Sequence, residues 1–181
     1  RGFEFELGWN NHIGDFNYSF RGNLATLHNE VTYVPASLGF ISGAGYFNYG
    51  TISRFEVGHP AWYFYGYEYK GVDPATGNPI FNDANDDGNY SEADKTAIGK
   101  GLADFTYGLT FTAAYTGLDL IVFGTGSYGN DSFCGICDSN NLPINKPTYF
   151  TEDSWTPTNT DAKFPRAKCA YETQFATSDA Y

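Results

Sequence analysis

Three stretches of the chain alternate apolar and polar residues with a period of two, and a fourth strand follows the last of them through a tight turn. Near residues 1–10, Phe3, Phe5, Leu7 and Trp9 oppose Glu4, Glu6, Gly8 and Asn10. Over 16–28, Phe16, Tyr18, Phe20, Gly22 and Leu24 oppose Asn17, Ser19, Arg21 and Asn23. Phe105, Tyr107, Leu109, Phe111, Ala113 and Tyr115 oppose Thr106, Gly108, Thr110, Thr112 and Ala114, and Thr116-Gly117 turns into a further strand over 118–128. A period of two places alternate side chains on opposite faces of a strand, so these segments predict two hairpins, the first turning in the polar break Asn10–Asp15. Each strand is about 10 to 13 residues long, longer than is usual in soluble sheets and enough to cross an outer membrane at a tilt.

The connections carry a second signal. Both hairpins turn tightly, whereas 29–104 and 129–181 are long, polar and rich in Gly, Asn, Asp and Pro, the asymmetry of a transmembrane barrel with short turns on one side and long loops on the other. All but four of the 21 acidic residues lie in those two segments, the exceptions being Glu4, Glu6, Asp15 and Asp119. If both hairpins turn on one side, 29–104 must leave and return on the other, and the run Ala61–Lys70 is expected in an extracellular hairpin. Phe3, Phe5, Phe16, Tyr18, Phe105, Tyr107, Leu109 and Phe111 should then face lipid, with Glu4, Glu6, Asn17, Arg21, Thr106 and Thr110 facing a lumen.

Composition sharpens this. Ten Lys and Arg against 21 Asp and Glu give a formal net charge of −11, which argues against a nucleic-acid partner. The chain opens at Arg1 and has no apolar run of 18 residues and no charged-then-apolar leader, so a processed or partial chain is the expectation. Cys134, Cys137 and Cys169 make an odd number. The Cys134-Gly135-Ile136-Cys137 pair lacks the further ligands of a structural zinc site, leaving a loop disulfide or two thiols open.

The stretch Asp83-Ala84-Asn85-Asp86-Asp87-Gly88-Asn89-Tyr90-Ser91-Glu92-Ala93-Asp94 has the spacing of a calcium loop. Its ligands would be Asp83, Asn85, Asp87, the carbonyl of Asn89, Ser91 (through water) and Asp94, with Gly88 at the sharp turn. Position 12 is Asp rather than the longer Glu, and turn and strand signals rather than a helix precede the loop. A short helix from Ser91 as N-cap to about Ile98 is predicted. A solvated acidic turn is the alternative. No nucleophile elbow, His–acid couple or carboxylate pair on strand ends is present, so no enzyme is expected. The tyrosines of 63–69 either stack on a sugar or peptide or pack within their hairpin.

Several segments together resemble the SusC/RagA-like TonB-dependent transporters. Val57-Gly58-His59-Pro60 with Tyr63–Tyr67 and Lys70-Gly71 is similar to that family's GxP…FYGY…DG stretch, and Lys95–Gly99 follows the Asp-rich loop as its D(R/K)TxIG ending does. Phe105, Gly108, Tyr115, Gly117, Asp119, Leu120, Gly126, Tyr128, Gly129 and Asn130 match its strand pattern. Trp155-Thr156-Pro157 and Phe164-Pro165-Arg166 resemble its later marks. The family's Asn-Pro pair is replaced at 99–104, and the Cys134–Cys137 pair is foreign to the pattern. The resemblance implies an all-β segment from the C-terminal part of a large antiparallel barrel in the cell outer membrane. Plug, TonB-contacting segment and most strands would lie outside these residues. It also implies uptake of glycan or peptide oligomers with a SusD-like surface lipoprotein as lid. The alternative fold is a secreted, calcium-stabilised β-sandwich carbohydrate-binding module, its core built from the same aromatics.

Overall fold

The computed structural model describes residues 1–43, 45, 50–134, 147–167, 170 and 172–180. Its strands are β1 (Glu4–Ile13), β2 (Phe16–Thr26), β3 (Phe40–Ser42), β4 (Ser53–Glu56), β5 (Tyr63–Tyr67), β6 (Tyr69–Val72), β7 (Pro79–Phe81), β8 (Lys95–Gly99), β9 (Phe105–Tyr115) and β10 (Leu118–Tyr128). Two five-residue helices follow, α1 (Thr148–Glu152) and α2 (Glu172–Ala176). The chain divides into two compact units, Arg1–Glu30 with Lys100–Asp131, and Val31–Gly99 with Ser132–Tyr181.

The first unit is one antiparallel sheet in the order β1-β2-β9-β10. Its register puts Phe5 across from Leu24, Leu24 across from Tyr107, and Tyr107 across from Gly126. The apolar alternation of β1, β2 and β9 therefore falls on one face, with Leu118, Leu120, Val122 and Tyr128 of β10 beside it. The polar residues Glu6, Asn23, Gly108 and Thr125 fall on the other, which is the division of faces that the alternation predicts. β1 runs three residues further than its alternation suggested. The break expected at Asn10–Asp15 narrows to Gly14-Asp15, because Asn11 and His12 pair with Tyr18 and Asn17 and extend the ladder. Gly14 has φ 58°, and as the first residue of a two-residue loop it gives the hairpin a backbone that follows the twist of its strands. At the second turn Thr116 (φ 42°) and Gly117 (φ 85°) are both left-handed, the type I′ arrangement. Beyond the ladders, Asp104 N–H donates to Tyr128 O at 2.8 Å, and Asp131 N–H donates to Lys100 O at 2.7 Å.

None of this sheet's apolar side chains is buried; every buried hydrophobic residue among those described belongs to the second unit. Phe5 is 63% exposed, Leu109 48% and Phe123 76%. The sandwich alternative fails here, since these aromatics form no core and no second sheet of the unit lies over them.

The second unit holds two sheets, β3-β4-β5-β8 and β6-β7. Its core gathers Tyr67, Phe81, Phe150, Phe164, Phe175 and Ala180, with Tyr69, Tyr90 and Cys134 packed against it. Phe150 and Phe164 lie 4.8 Å apart, and Phe81 meets Tyr90 edge-on at 5.1 Å. Edge-on and offset rings bury large areas in few residues, which lets so loop-rich a segment hold a core. The run Ala61–Lys70 is not a single hairpin: it divides at Glu68 into β5, paired with β4 and β8, and β6, paired with β7. The helix expected from Ser91 to Ile98 is one turn, Glu92–Asp94, because Lys95–Gly99 instead pairs with β5.

Candidate functional site

Two features were marked by the sequence, the apolar sheet face and the acidic loop. On the sheet, the register arranges the apolar face in rows running across the strands. The central rows are Trp9, Phe20, Phe111 and Val122, then Leu7, Gly22, Leu109 and Gly124. Toward the tight turns lie Tyr18 and Tyr115, and toward the opposite end lie Tyr107 and Tyr128, so all four tyrosines of this face fall in the outer two rows at either end. Phe105 stacks on Tyr128 at 5.1 Å, and Trp9 meets Tyr18 edge-on at 5.3 Å. Apolar side chains in the middle with amphipathic rings at both margins are the pattern of a surface facing hydrocarbon between two wet interfaces. The small residues have a packing role: Leu109 lies over Gly22, and the Tyr107 ring lies over Gly126, where a Cβ would come within 2.5 Å of it.

The face opposite carries Glu4, Glu6, Asn17, Arg21, Thr106 and Thr110, as the alternation predicts. Ser19 and Thr112 hydroxyls share a 2.5 Å hydrogen bond across β2 and β9. A cavity of about 420 Å³ near the turns includes Asn10, Asn17, Ser19 and Asp119 in its lining. β10 departs from the pattern, since Ile121 and Phe123 are apolar and exposed on this face.

The acidic loop is held by its own carboxylates. Asp83 accepts from Asp87 N–H at 3.2 Å and from Gly88 N–H at 2.8 Å, which ties the first ligand position to the fifth and sixth. Asp87 accepts from Asn89 N–H at 2.7 Å and from the Asn85 amide at 2.9 Å. Gly88 has φ 78°, the sharp turn its place in the motif requires. Asp94 is buried, accepting from Ala84 N–H at 3.0 Å and Ser91 N–H at 2.7 Å, so it closes the loop and completes a capping box with Ser91. These N–H groups, that of Ser91 first, hold the Asp94 carboxyl below its usual range despite its burial. The donors are hard oxygens, as calcium prefers, but among the described residues no three Asp, Glu, His or Cys side chains converge as a ligand set. The acceptor atoms of Asp83, Asp87 and Asp94 thus face the loop's own N–H groups.

Other groups escaped sequence reasoning because they meet only through sheet pairing. Tyr63 is buried and donates its hydroxyl to Glu56 Oε2 at 2.6 Å, while the His59 ring stacks on it at 4.4 Å. Burial, then the bond to Glu56, pushes its phenol far above the ordinary range, so it stays protonated and has no use as a base. Arg54 on β4 lies with its guanidinium carbon 3.4 Å from the Tyr65 ring centre and 4.0 Å from that of Phe40. Three of the tyrosines of 63–69 serve the interior, since Tyr63 and Tyr67 are buried and Tyr69 packs on Phe175 at 5.6 Å, whereas Tyr65 is only partly covered. Cys134 is half-buried; Cys137 and Cys169, and with them the disulfide question, lie outside the described residues.

The chain is homologous to TonB-dependent receptors. It is 28% identical over 184 residues to TonB-dependent receptor P3 of Formosa agariphila, an alignment covering 92% of this chain and 18% of the relative. To TonB-dependent receptor P26 of the same organism it is 26% identical over 191 residues, covering 92% and 19%. The chain therefore spans about a fifth of the length of these relatives. No family model matches it. Its fold is similar to the RagAB peptide transporter, with a TM-score of 0.68 at 23% identity over 92% of this chain and 19% of that one. It is also similar to the RagAB peptide importer in its open-open state, with a TM-score of 0.66 at 22% identity.

Proposed function

We propose that this chain, homologous to TonB-dependent receptors, is part of the barrel of an outer-membrane importer. The first unit supplies four adjacent spanning strands and the second supplies surface structure. One observation carries the reading: the register assembles an exposed apolar face with tyrosines at both margins on a sheet whose other face is polar over β1, β2 and β9. Water would penalise such a face, and hydrocarbon favours it. The second unit, which holds most of the acids and a core of its own, suits the aqueous side.

The cargo would be an oligomer of peptide or glycan, a reading that the likeness to TonB-dependent receptors and to a peptide transporter supports. Energy would enter through TonB, acting on a plug segment outside residues 1–181. A SusD-like surface lipoprotein would close the mouth over the second unit through an interface of about 2,000 Å² or more. The test uses the full-length protein in cells. Uptake of labelled oligomers should stop when the proton-motive force is collapsed, and a lipoprotein should accompany the protein through gentle detergent extraction. Uptake that persists without proton-motive force, with the transporter recovered alone, overturns both parts.

Loop 83–94 would take calcium in the same protein. Asp83, Asn85, Asp87 and the Asn89 carbonyl would act as ligands, and Asp94 would close the ring. The hard-oxygen donor set and the Gly88 turn support this reading. Calcium should protect the loop from protease, and Asp83→Ala combined with Asp87→Ala should abolish that protection. Equal cleavage of the native loop in calcium and in chelator refutes it.

A further inference from the structure

Arg54 presents an unusual arrangement for a cation in so acidic a chain. β4 pairs with β3 on one side and β5 on the other, so Phe40, Arg54, Glu56, Tyr63 and Tyr65 project from the same face of that sheet. The guanidinium lies between the Tyr65 and Phe40 rings at 3.4 and 4.0 Å. Two rings fix its plane and position, and a planar cation so held loses less freedom when it meets a ligand.

Its hydrogen-bonding capacity is unused. Glu56 stands two residues along the same face, but it is engaged by the Tyr63 hydroxyl at 2.6 Å and forms no ion pair with Arg54. Among the described residues the Arg54 side chain makes neither a hydrogen bond nor an ion pair. Lys70, Lys95 and Lys100, by contrast, are each matched to a carboxylate. Stacking occupies the faces of a guanidinium and leaves its edge, where the five N–H donors lie. Arg54 is only partly covered and Phe40 is 37% exposed, so that edge is within reach of solvent. A fork of parallel N–H donors matches a carboxylate in two-point contact, and the flanking rings suit the apolar carbon next to it.

The geometry points to Arg54, between Phe40 and Tyr65, as a recognition site for a single carboxylate at the end of a peptide. Peptide is favoured over an acidic glycan on charge: a formal net charge of −11 repels a polyanion, whereas one terminal carboxylate can be held by one arginine. The biological use of the site rests on the import reading. Its test does not, because binding is measured without transport.

The experiment is calorimetric titration of the detergent-solubilised full-length protein with N-acetyl-tetra-alanine as the free acid and as the amide. A short galacturonate oligomer serves as a third arm. The free acid should bind about 10- to 100-fold more tightly than the amide, the range of a charge-assisted hydrogen-bonded pair. Arg54→Gln should erase that difference, and Arg54→Lys, which keeps the charge but not the fork, should retain only a small part of it. Phe40→Leu, which leaves the guanidinium in place but loosens its clamp, should weaken the free acid several-fold and the amide little. Equal binding of acid and amide, or a preference that survives Arg54→Gln, overturns the proposal. A carboxylate preference seen only with the galacturonate oligomer overturns its assignment to peptide. Failure of uptake with an intact acid preference would count against import and leave the site standing.

Discussion

Leu109→Arg tests the orientation of the first unit's sheet. β9 has 11 residues; at about 3.4 Å per residue and a tilt near 40° it rises about 28 Å, slightly more than the ~25 Å apolar band of an outer-membrane barrel. Leu109 is one residue from the strand's midpoint, Thr110, and about 10 Å along the membrane normal from the nearer end of the strand. Its neighbours on the apolar face are Gly22 and Gly124, which offer an incoming guanidinium no polar partner. A lipid-facing arginine at this depth should cost about 2–4 kcal/mol. Thr110→Arg, one residue along, points to the polar face directly across from Arg21 and should cost under about 1 kcal/mol, most of it like-charge repulsion. The assay is reversible denaturant titration of the full-length protein folded into phospholipid bilayers, followed by tryptophan fluorescence. Equal penalties at the two positions would refute the orientation, and a larger penalty at Thr110 would invert it.

Other consequences follow from local geometry. Thr116 is a β-branched residue at φ 42° in the β9–β10 turn, so Thr116→Asn should stabilise the same protein by about 1 kcal/mol, and a loss of stability there would rule out strain at that turn. Gly77 has φ 72° and no room for a Cβ, which would lie 2.5 Å from the Trp155 ring; Gly77→Ala should cost about 1–3 kcal/mol and speed proteolysis around 73–78. Burial first, then Glu92 and Asp94, pushes the Tyr67 phenol up from 10.0 to about 12. The native state therefore keeps a proton that the unfolded chain releases above pH 10, and the stability this group confers is present below that pH and lost between pH 10 and about 12. Ultraviolet titration should show two phenols, Tyr63 and Tyr67, ionising late, and early ionisation of either in the folded protein would contradict its burial.

The four long strands, the side of the chain on which their turns lie, and the division of β1, β2 and β9 into an apolar and a polar face were legible in the sequence. A period of two is a local property, and nothing in the first unit buries those faces and so overrides it. The Gly88 turn and the Ser91 cap were legible for the same reason: each depends on one backbone conformation or a contact three residues away. What needed the tertiary structure was whatever pairing brings together. The tyrosine margins become visible only once Tyr18 and Tyr107, far apart in the chain, are set on one face by the β2–β9 register. Lys95–Gly99 has enough helical character to suggest a helix, yet it pairs with β5 as the edge strand of its sheet. Tyr63 and Tyr67 could not be told from binding aromatics by composition, and burial assigned them to the interior. Arg54 carried no signal in the sequence, because the rings that hold it arrive from two other strands, with Phe40 14 positions before it and Tyr65 11 positions after it. Alternation along one strand reports on a face, but what that face meets is decided by residues distant in sequence, whose approach no local pattern encodes.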